Sequence, residues 1–318
     1  MKKLEELVPE NGSVIILGHV RPDGDCVGSC LAAYNYLKKL RPAQELKLIL
    51  EPFSDSFRML SGSETVSHDF AGTADICVCL DTSDRERLGK GTDIFDRAAV
   101  TICIDHHHTN TGFADVNIIC GDISSASELL AGMLSDEFLD REIAECLYLG
   151  IVHDTGCFKH SNTRKATMET AGKLLEYGVS SSRIIDDTFF RKTFRQNRLL
   201  GTALTRSELF LSGKMIGTAV TRQDMEALGA DSRDTDGIVD QIRVTDGVEI
   251  AVFLYELTPG EFKISMRSND CVDVSEIAGH FGGGGHIRAA GGSSKDSPER
   301  IFETIAALAE AQLKRQAV

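Results

Sequence analysis

The chain has 318 residues, of which 42% are hydrophobic, and this length favours two globular domains. No apolar run approaches the ~18 residues of a membrane span, and the charged N-terminus lacks the apolar core of a secretory signal, so a cytoplasmic protein without membrane contact is expected. The formal net charge of −14 argues against a surface that holds long duplex nucleic acid, because such surfaces are usually basic. The nine cysteines, several of them inside apolar runs, indicate reduced and buried thiols.

Short apolar strands alternate with helical patterns in the first half of the chain. Strands are predicted at 13–18, 47–50, 75–80 and 100–104, and helices at 26–40, 125–137, 141–153 and 167–177. Continuous apolar strands separated by helices are typical of a parallel, doubly wound sheet. We therefore predict an α/β fold whose N-terminal domain, residues 1–188, is built on such a sheet.

The pattern changes after a polar, arginine-rich stretch between Asp186 and Arg206. Residues 189–206 are predicted to form a linker helix, and residues 207–318 a smaller α/β domain with a mixed or antiparallel sheet. Its strands are expected at 209–221, 249–256 and 261–267, its helices at 221–228, 237–244 and 299–316, and a glycine-rich loop at 281–292. The arginine-rich stretch is either a solvated helical face or the lining of a cleft that receives a charged substrate.

Acidic and histidine side chains follow several predicted strands and one predicted helix. They are His19, Asp23, Asp25, Asp81, Asp105, His106, His107 and Asp154. Ligands of open parallel sheets bind beyond the carboxyl ends of the strands, so these side chains are expected to meet. Each alone could be a helix cap or a hydrogen-bonded core residue. Many ionisable groups in one place would repel each other without metal or protons, and this favours a metal site.

The ligand types in this cluster predict which metal and which chemistry it supports. Carboxylates mixed with imidazoles suit Mn²⁺ or a similar octahedral metal better than a structural Zn²⁺. Asp23 and Asp25 lie two residues apart in a loop and can face different metals, while Asp81 can bridge them. Two metals about 3.5–4 Å apart can hold a bridging hydroxide and clamp phosphate oxygens. The pattern therefore predicts hydrolysis of phosphate esters without a serine or cysteine nucleophile.

Five motifs occur in an order that resembles the DHH phosphoesterase superfamily. They are GHVRPDGDCVGS at 18–29, CLDTSDRERLG at 79–89, CIDHHHTN at 103–110, GIVHDTGCFKHSNT at 150–163 and FGGGGHIRAAGG at 281–292. The last resembles the DHH-associated domain and, alone, also resembles loops of alanyl-tRNA synthetase-type domains. The domain size and motif spacing look closest to the nano-RNase and pAp-phosphatase subfamily. Its members degrade very short oligoribonucleotides, and many also hydrolyse 3′-phosphoadenosine 5′-phosphate (pAp).

The resemblance implies two metal ions, expected to be Mn²⁺, with Mg²⁺ or Co²⁺ as alternatives. Its metal ligands fall on His19, Asp23, Asp25, Asp81, His106 and Asp154. Asp81 is shared between the two ions and counts, with His107 and Asp105, among the implied catalytic residues. His107 is placed beside the scissile phosphate, and Asp105 behind a histidine that it orients. No role is implied for Cys26, which follows the aspartate pair, or for Cys157.

The resemblance also implies substrate contacts, mostly in the C-terminal domain. The implied residues there are Arg267, Ser268, Asn269, Gly283, Gly284, Gly285 and His286. Glycine backbones let phosphate approach closely, and Arg267 can bind it through two hydrogen bonds. The alternatives are a flexible turn and a solvated strand end. His160, Asn162 and Thr163 are added because they closely follow Asp154, although they could equally cap the next helix.

These patterns together predict a Mn²⁺-dependent hydrolase of very short RNA that also attacks pAp. Its expected partners are short RNA oligonucleotides or (di)nucleotide phosphates, and a homodimer is implied by the resemblance alone. The alternatives are a soluble cyclic di-AMP or pApA phosphodiesterase and a non-catalytic nucleotide-binding module, which would require loss of ligand residues. A family II pyrophosphatase would lack the glycine motif. A long-chain DNA exonuclease would usually carry an additional nucleic-acid-binding domain.

Overall fold

The computed structural model describes residues 2–316 and divides the chain into two compact units, Met1–Arg191 and Lys192–Val318. Each unit contains one sheet, with its own hydrophobic core on both faces of that sheet. Within residues 2–316, no helix combines the length and the hydropathy that crossing a bilayer requires.

The first unit is built on a five-stranded sheet in the order β2-β1-β3-β4-β5, in which every neighbouring pair is parallel. The strands are β1 (Val14–Leu17), β2 (Leu46–Ile49), β3 (Ile76–Leu80), β4 (Val100–Asp105) and β5 (Val116–Ile119). All residues of β1 and β3 are buried, which explains why these strands are apolar throughout. The predicted parallel sheet is confirmed. The edge strand β5 was not predicted, since its pattern is only partly buried.

Helices cover both faces of this sheet, as the doubly wound prediction requires. They are α1 (Leu4–Leu7), α2 (Gly24–Leu40), α3 (Thr92–Arg97), α4 (Ala126–Met133), α5 (Arg141–Asp154), α6 (Lys165–Leu175) and α7 (Ser181–Ile185). One core cluster packs α2, α4 and α5 against one face, where Ile16 and Val78 point. A second cluster packs α3 against Ile15 and Cys77 on the other face. The alternation of Ile15 and Ile16 reflects the two-residue period of a strand.

Glycines let α2 and α5 approach each other closely. A Cβ at Gly28 would lie 2.5 Å from the carbonyl oxygen of Cys146, and a Cβ at Gly150 would lie 2.5 Å from Oδ1 of Asp25. Any side chain at these positions would therefore push the two helices apart. This contact brings the end of α5, where Asp154 lies, to the start of α2.

The second unit contains a six-stranded mixed sheet in the order β10-β11-β9-β8-β7-β6. Its strands are β6 (Glu208–Phe210), β7 (Met215–Val220), β8 (Ile250–Thr258), β9 (Glu261–Ser268), β10 (Gly284–His286) and β11 (Ala289–Ser294). Its helices are α8 (Phe194–Thr205), α9 (Arg222–Ala227), α10 (Ile238–Arg243), α11 (Val274–His280) and α12 (Pro298–Gln316). Strands β7 and β8 are parallel and the other pairs are antiparallel. The predicted smaller α/β domain with a mixed sheet is confirmed.

Two elements of the second unit differ from the predicted ones. The strand expected at 209–221 is interrupted by a turn at Leu211–Gly213, where Leu211 and Ser212 have φ values of 52° and 54°. The chain reverses there, so β6 pairs antiparallel with β7. The glycine-rich segment 281–292, expected as a loop, contains the hairpin β10–β11. Its glycines carry no side-chain pattern from which a strand could be predicted.

Candidate metal centre

The carboxyl ends of β1, β3 and β4 carry His19, Asp81 and His106, and the structure brings these three side chains together. His19 Nε2 lies 3.5 Å from Asp81 Oδ2, and His106 Nε2 lies 3.3 Å from Asp81 Oδ1. Asp81 therefore lies between two histidines, with one carboxylate oxygen facing each. This is the arrangement expected of a carboxylate shared by two cations.

The backbone and burial of Asp81 are unusual in ways that also point to a cation. Its φ is 53°, a left-handed value that is uncommon outside glycine, while its N–H still donates to Ile104 O at 3.0 Å. Its Oδ1 atom is buried and accepts no hydrogen bond within the described residues. A buried carboxylate oxygen without a donor costs free energy unless a cation compensates it.

Asp25 is held by the first turn of α4. Its Oδ2 and Oδ1 atoms accept the backbone N–H groups of Ala126 and Ser127 at 2.6 and 2.9 Å. A helix N-terminus favours a negative charge, so these bonds orient the carboxylate. Burial, followed by the charge of Asp81, raises the pKa of Asp25 well above its usual value. His106 Nε2 lies 3.8 Å from Asp25 Oδ2.

Asp23 combines the helix-cap and metal-ligand interpretations of the sequence. Its Oδ1 accepts the N–H groups of Asp25 and Cys26 at 3.0 and 3.1 Å, which caps α2. Its Oδ2 lies 3.7 Å from His19 Nε2 and remains available for a cation. His19 Nδ1 lies 2.8 Å from Val20 O, and this bond places the ring proton on Nδ1 and leaves Nε2 as the ligand atom.

Asp154, the last residue of α5, completes the carboxylate cluster. Its Oδ2 lies 3.9 Å from His106 Nε2 and accepts a hydrogen bond of 3.3 Å from Asn162 Nδ2. Burial raises the pKa of Asp154 to about 6, with His106 opposing this effect and Asp81 adding to it. Burial lowers the pKa of His106, but the close approach of Asp81 and the charges of the nearby carboxylates outweigh this and raise it to about 10.

His107 lies beside this cluster, and its ring contacts a second buried carboxylate, that of Asp105. Its Nδ1 lies 2.8 Å from Asp105 Oδ1, and its side chain is 37% exposed. The hydrogen bond to Asp105 raises the pKa of His107, with burial as the smaller opposing effect. Asn110 Nδ2 donates to the other Asp105 oxygen at 2.7 Å. His107 can therefore present a protonated Nε2 to solvent or to a ligand.

The donor set fits a pair of divalent cations. Ligand atoms of His19, Cys26 and Asp81 all lie within 4.8 Å of one another, and so do those of Asp81, His106 and His107. These two groups share Asp81. The surrounding carboxylates supply hard oxygen donors, whose mutual repulsion a metal relieves.

The three predicted residues of the loop after α5 lie in different settings. Asn162 Nδ2 also donates to Ser124 O at 3.1 Å, so its amide group lies behind Asp154. His160 is exposed, with Nδ1 3.4 Å from Asp154 O. Thr163 Oγ1 is buried and has no hydrogen-bond partner within the described residues. The capping alternative is wrong for Asn162 and Thr163, because the N-cap of α6 is Arg164.

In the second unit, the predicted residues Arg267, Ser268 and Asn269 lie at the end of β9 and just beyond it. Arg267 Nε lies 3.3 Å from Asp240 Oδ1, and Ser268 Oγ donates to Ile287 O at 3.3 Å. Asn269 Oδ1 accepts from the guanidinium of Arg243 at 2.6 Å, while its amide donates to Val248 O at 2.8 Å. Two guanidinium groups therefore lie near the end of β9, those of Arg267 and of Arg243 from α10, with their Nε atoms 3.3 and 3.7 Å from Asp240 Oδ1.

The predicted glycines lie on or beside the hairpin formed by β10 and β11. Strand β10 ends at the exposed His286. A Cβ at Gly283 would overlap Gly291 O, and one at Gly285 would lie 2.5 Å from Ala289 O. Both glycines are therefore required by the hairpin itself. Gly284 has no heavy atom within 4 Å of the position of its Cβ, so its outer face is open to a ligand.

Two supporting features of the centre were missed in the sequence. Asn110 lies five residues after Asp105, at the end of the motif CIDHHHTN, and was not among the predicted site residues. The amides that hold Asp25 begin α4, and the pattern Ser125-x-x-Glu128 is a capping-box signal for a helix start. That signal could have located an anion-binding helix N-terminus, although it does not say which carboxylate binds there.

Comparison with known proteins identifies the family of the chain. Two family models match, the DHH family N-terminal domain over residues 13–151 and the DHHA1 domain over residues 214–315. The chain is 31% identical over 320 residues to the bifunctional oligoribonuclease and PAP phosphatase NrnA of Thermus thermophilus, covering 95% of this chain and 91% of that relative. It is 27% identical over 303 residues to the NrnA of Bacillus subtilis, covering 93% and 94%.

A solved structure supports the same assignment. The exopolyphosphatase-related protein from Bacteroides fragilis superposes with a TM-score of 0.82 at 26% sequence identity, and the match covers 94% of this chain and 92% of that one. The predicted family resemblance is therefore confirmed over nearly the whole chain. The chain belongs to the DHH phosphoesterase superfamily, with a DHH domain followed by a DHHA1 domain, and is a hydrolytic enzyme.

Proposed function

We propose that the protein hydrolyses short oligoribonucleotides to mononucleotides and also removes the 3′-phosphate of pAp. The observation that carries this proposal is the position of Asp81, with one carboxylate oxygen facing His19 and the other facing His106. Relatives named for oligoribonuclease and PAP phosphatase activity match more than nine tenths of the chain and support the substrate class.

The metals proposed for this centre are two Mn²⁺ ions, with Mg²⁺ or Co²⁺ as alternatives. Their protein ligands would be His19, Asp23, Asp25, Asp81, His106 and Asp154, with Asp81 shared. Oxygen-rich donor sets with imidazole suit these octahedral metals. When bound, such a metal pair supplies Lewis acidity and an activated water for attack on a phosphate ester.

The role proposed for His107 is to hold a proton for the leaving group. Asp105 accepts the Nδ1–H of this ring, which keeps the imidazole oriented and favours its protonated form. The proton on Nε2 then faces outward and can pass to the oxygen that leaves the phosphorus. Asp105 is buried, so its charge is not screened by water.

The two domains are proposed to have different roles, one in catalysis and the other in substrate binding. Residues 1–188 would form the catalytic domain, residues 189–206 the linker, and residues 207–318 the domain that binds the nucleotide. The open face of Gly284 and the guanidinium of Arg267 support this role, because both offer donors or close backbone approach to phosphate.

A turnover panel with purified protein tests the proposal. Metal-depleted enzyme is supplied with Mn²⁺ and given a labelled diribonucleotide, pAp, linear pApA and cyclic di-AMP. Release of mononucleotide from the diribonucleotide and of phosphate from pAp is the expected result. If neither of these substrates is turned over, the proposed activity is wrong, and hydrolysis of the cyclic dinucleotide alone would replace it by the alternative phosphodiesterase activity.

An Asp81→Asn variant links turnover to the centre. The amide keeps the size of the side chain but removes the charge shared by the two cations, so a loss of kcat of several orders of magnitude is expected. Retention of full activity by a correctly folded Asp81→Asn protein would show that hydrolysis occurs elsewhere.

A further inference from the structure

We propose that the thiolate of Cys26 is an additional ligand on the His19 side of the metal centre, so that this side binds Zn²⁺ or Co²⁺ more tightly than its oxygen and imidazole donors would alone. This inference rests on the metal centre proposed above and concerns which metals that centre selects.

The sulfur of Cys26 lies at ligand spacing from two of the proposed metal ligands. Its Sγ atom, a ring nitrogen of His19 and a carboxylate oxygen of Asp81 all lie within 4.8 Å of one another, and all three residues are buried. A single cation at the centre of such a group can reach a nitrogen, an oxygen and a sulfur at ordinary bond lengths of about 2.0–2.3 Å.

The position of Cys26 is determined by the backbone around it. Cys26 lies in the first turn of α2, and its N–H donates to Asp23 Oδ1 at 3.1 Å. The side chain is completely buried. A Cβ at Gly18 would overlap the sulfur, so the glycine at the end of β1 leaves the space that the thiol occupies beside His19. The thiol is therefore held in place before any metal binds.

Independent evidence for a cation at this position comes from Asp81. Asp81 is 2% exposed, and its Oδ2 atom lies 3.5 Å from His19 Nε2, on the side of the carboxylate where Cys26 lies, while Oδ1, which faces His106, has no hydrogen-bond partner within the described residues. His19 directs Nε2 toward the same carboxylate, because Nδ1 is engaged by Val20 O. A buried carboxylate and a correctly oriented imidazole are the groups that a metal requires next to the thiol.

The coordination step changes protons but no oxidation states. The S–H bond of Cys26 breaks, the proton passes to solvent, and the sulfur lone pair forms the bond to the metal. Thiolate is a softer donor than carboxylate, so it strengthens binding of Zn²⁺ and Co²⁺ more than binding of Mn²⁺. The expected consequence is a centre whose two sides differ in metal preference.

Cys30 provides a matched control one helical turn further along α2. It is equally buried, and its Sγ donates to Leu17 O at 3.5 Å. It is not part of either group of ligand atoms. Replacing Cys26 or Cys30 by alanine removes the same atom from the same core, so a difference between the variants reports on the metal and not on packing.

Cobalt spectroscopy of the metal-depleted enzyme tests the inference directly. Wild-type protein and the Cys30→Ala variant are expected to develop a near-ultraviolet sulfur-to-cobalt charge-transfer band on addition of Co²⁺. The Cys26→Ala and Cys26→Ser variants are expected to lack it. Persistence of the band in the Cys26 variants, or its absence from wild type, would overturn the inference.

Competition with a chelator measures the selectivity. The Zn²⁺ dissociation constant is expected to rise about 10–100-fold in Cys26→Ala, while that for Mn²⁺ changes far less. Equal changes for both metals would contradict the role of sulfur. The number of bound metal ions distinguishes the proposed metal centre from the proposed thiolate ligand. If the protein binds two Co²⁺ without a charge-transfer band, only the thiolate ligand is refuted. If it binds no metal, both proposals are refuted. Metal-free melting temperatures of the variants establish that each is folded.

Discussion

Asn110 donates a hydrogen bond of 2.7 Å to Oδ2 of Asp105, the carboxylate whose Oδ1 lies 2.8 Å from Nδ1 of His107. Asn110 is buried and also donates to Thr82 O at 3.1 Å. Its amide therefore connects the loop after β3 to the carboxylate that orients His107. Burial raises the pKa of Asp105, but the bonds from His107 and Asn110 outweigh this and lower it.

Replacing Asn110 by alanine is expected to lower kcat roughly tenfold, with little change in KM, because the variant disturbs a positioning bond and no ligand contact. The pH profile of kcat distinguishes this from a structural effect. In the variant, Asp105 is held less firmly and favours the protonated form of His107 less. The fall in activity at high pH is therefore expected to begin at a lower pH than in wild type.

The control for this prediction is Asn117→Ala. The amide of Asn117 donates to Ala114 O at 2.6 Å and has no bond to the centre. A pH profile of Asn110→Ala that coincides with those of wild type and of Asn117→Ala would show that the amide does not act through His107.

The stabilisation that metal provides is expected to grow as the pH rises. The folded-state pKa of Asp154, at about 6, lies above the ordinary value of 3.8. The stability that Asp154 contributes to the metal-free protein is complete at pH values below its ordinary pKa of 3.8. It is lost as the pH rises through about 6. His106 acts in the same direction, with loss as the pH rises through about 10.

Thermal unfolding with Mn²⁺ and with a chelator, at pH 5.5 and pH 8, measures this effect. Metal at a hundredfold excess over its dissociation constant adds about 2.7 kcal/mol per site. The gain in the free energy of unfolding that metal provides should be larger at pH 8 than at pH 5.5, because fewer protons compete with the metal for Asp154. An Asp154→Asn variant should show a smaller dependence on pH, and an identical metal-induced shift at both pH values would contradict the prediction.

The close contact of α2 and α5 predicts a severe effect of Gly150→Ala. The added Cβ would overlap Ser127 Oγ and lie 2.5 Å from Asp25 Oδ1. Overpacking of this kind costs about 1–3 kcal/mol of the free energy of unfolding, and displacement of Asp25 should reduce metal affinity as well. Gly172→Ala is the control, since Gly172 lies on the exposed face of α6 with nothing within 4 Å of its Cβ position.

The control variant is expected to gain about 0.5–1 kcal/mol, because alanine loses less backbone entropy than glycine when a helix forms. Chemical denaturation gives both free energies, and a metal titration gives the affinities. If Gly150→Ala is as stable as wild type and binds metal equally well, the helices do not require glycine at this contact.

Gly284→Ala tests whether the hairpin of the second unit approaches the substrate. Because its Cβ position is open, the melting temperature should not change. A phosphate close to this backbone would meet the new methyl group, so KM for a diribonucleotide should rise about tenfold, equivalent to 1.4 kcal/mol of lost binding.

Two comparisons make the Gly284 result specific. Hydrolysis of bis(p-nitrophenyl) phosphate, which has no nucleoside, should be unaffected, and Gly283→Ala should destabilise the protein because its Cβ would overlap Gly291 O. An unchanged KM for the diribonucleotide in Gly284→Ala would show that this face does not contact it.

Much of the first unit could be predicted from the sequence. The buried strands β1 and β3 are apolar throughout, and this pattern specifies a parallel sheet because both faces must be covered. A parallel sheet in turn collects the carboxyl ends of its strands at one edge. The positions of His19, Asp81 and His106 along the chain were therefore enough to place them together.

Which groups hold those side chains in place was decided only by the tertiary structure. Asp25 is held by amides 101 and 102 residues away, and these groups meet only because α4 packs beside α2. Backbone N–H groups are the same in every residue, so no sequence pattern identifies which carboxylate will accept them. In the same way, only the folded chain shows that the sulfur of Cys26 fills the space above Gly18, since a contact between a glycine and a buried side chain is decided by close packing.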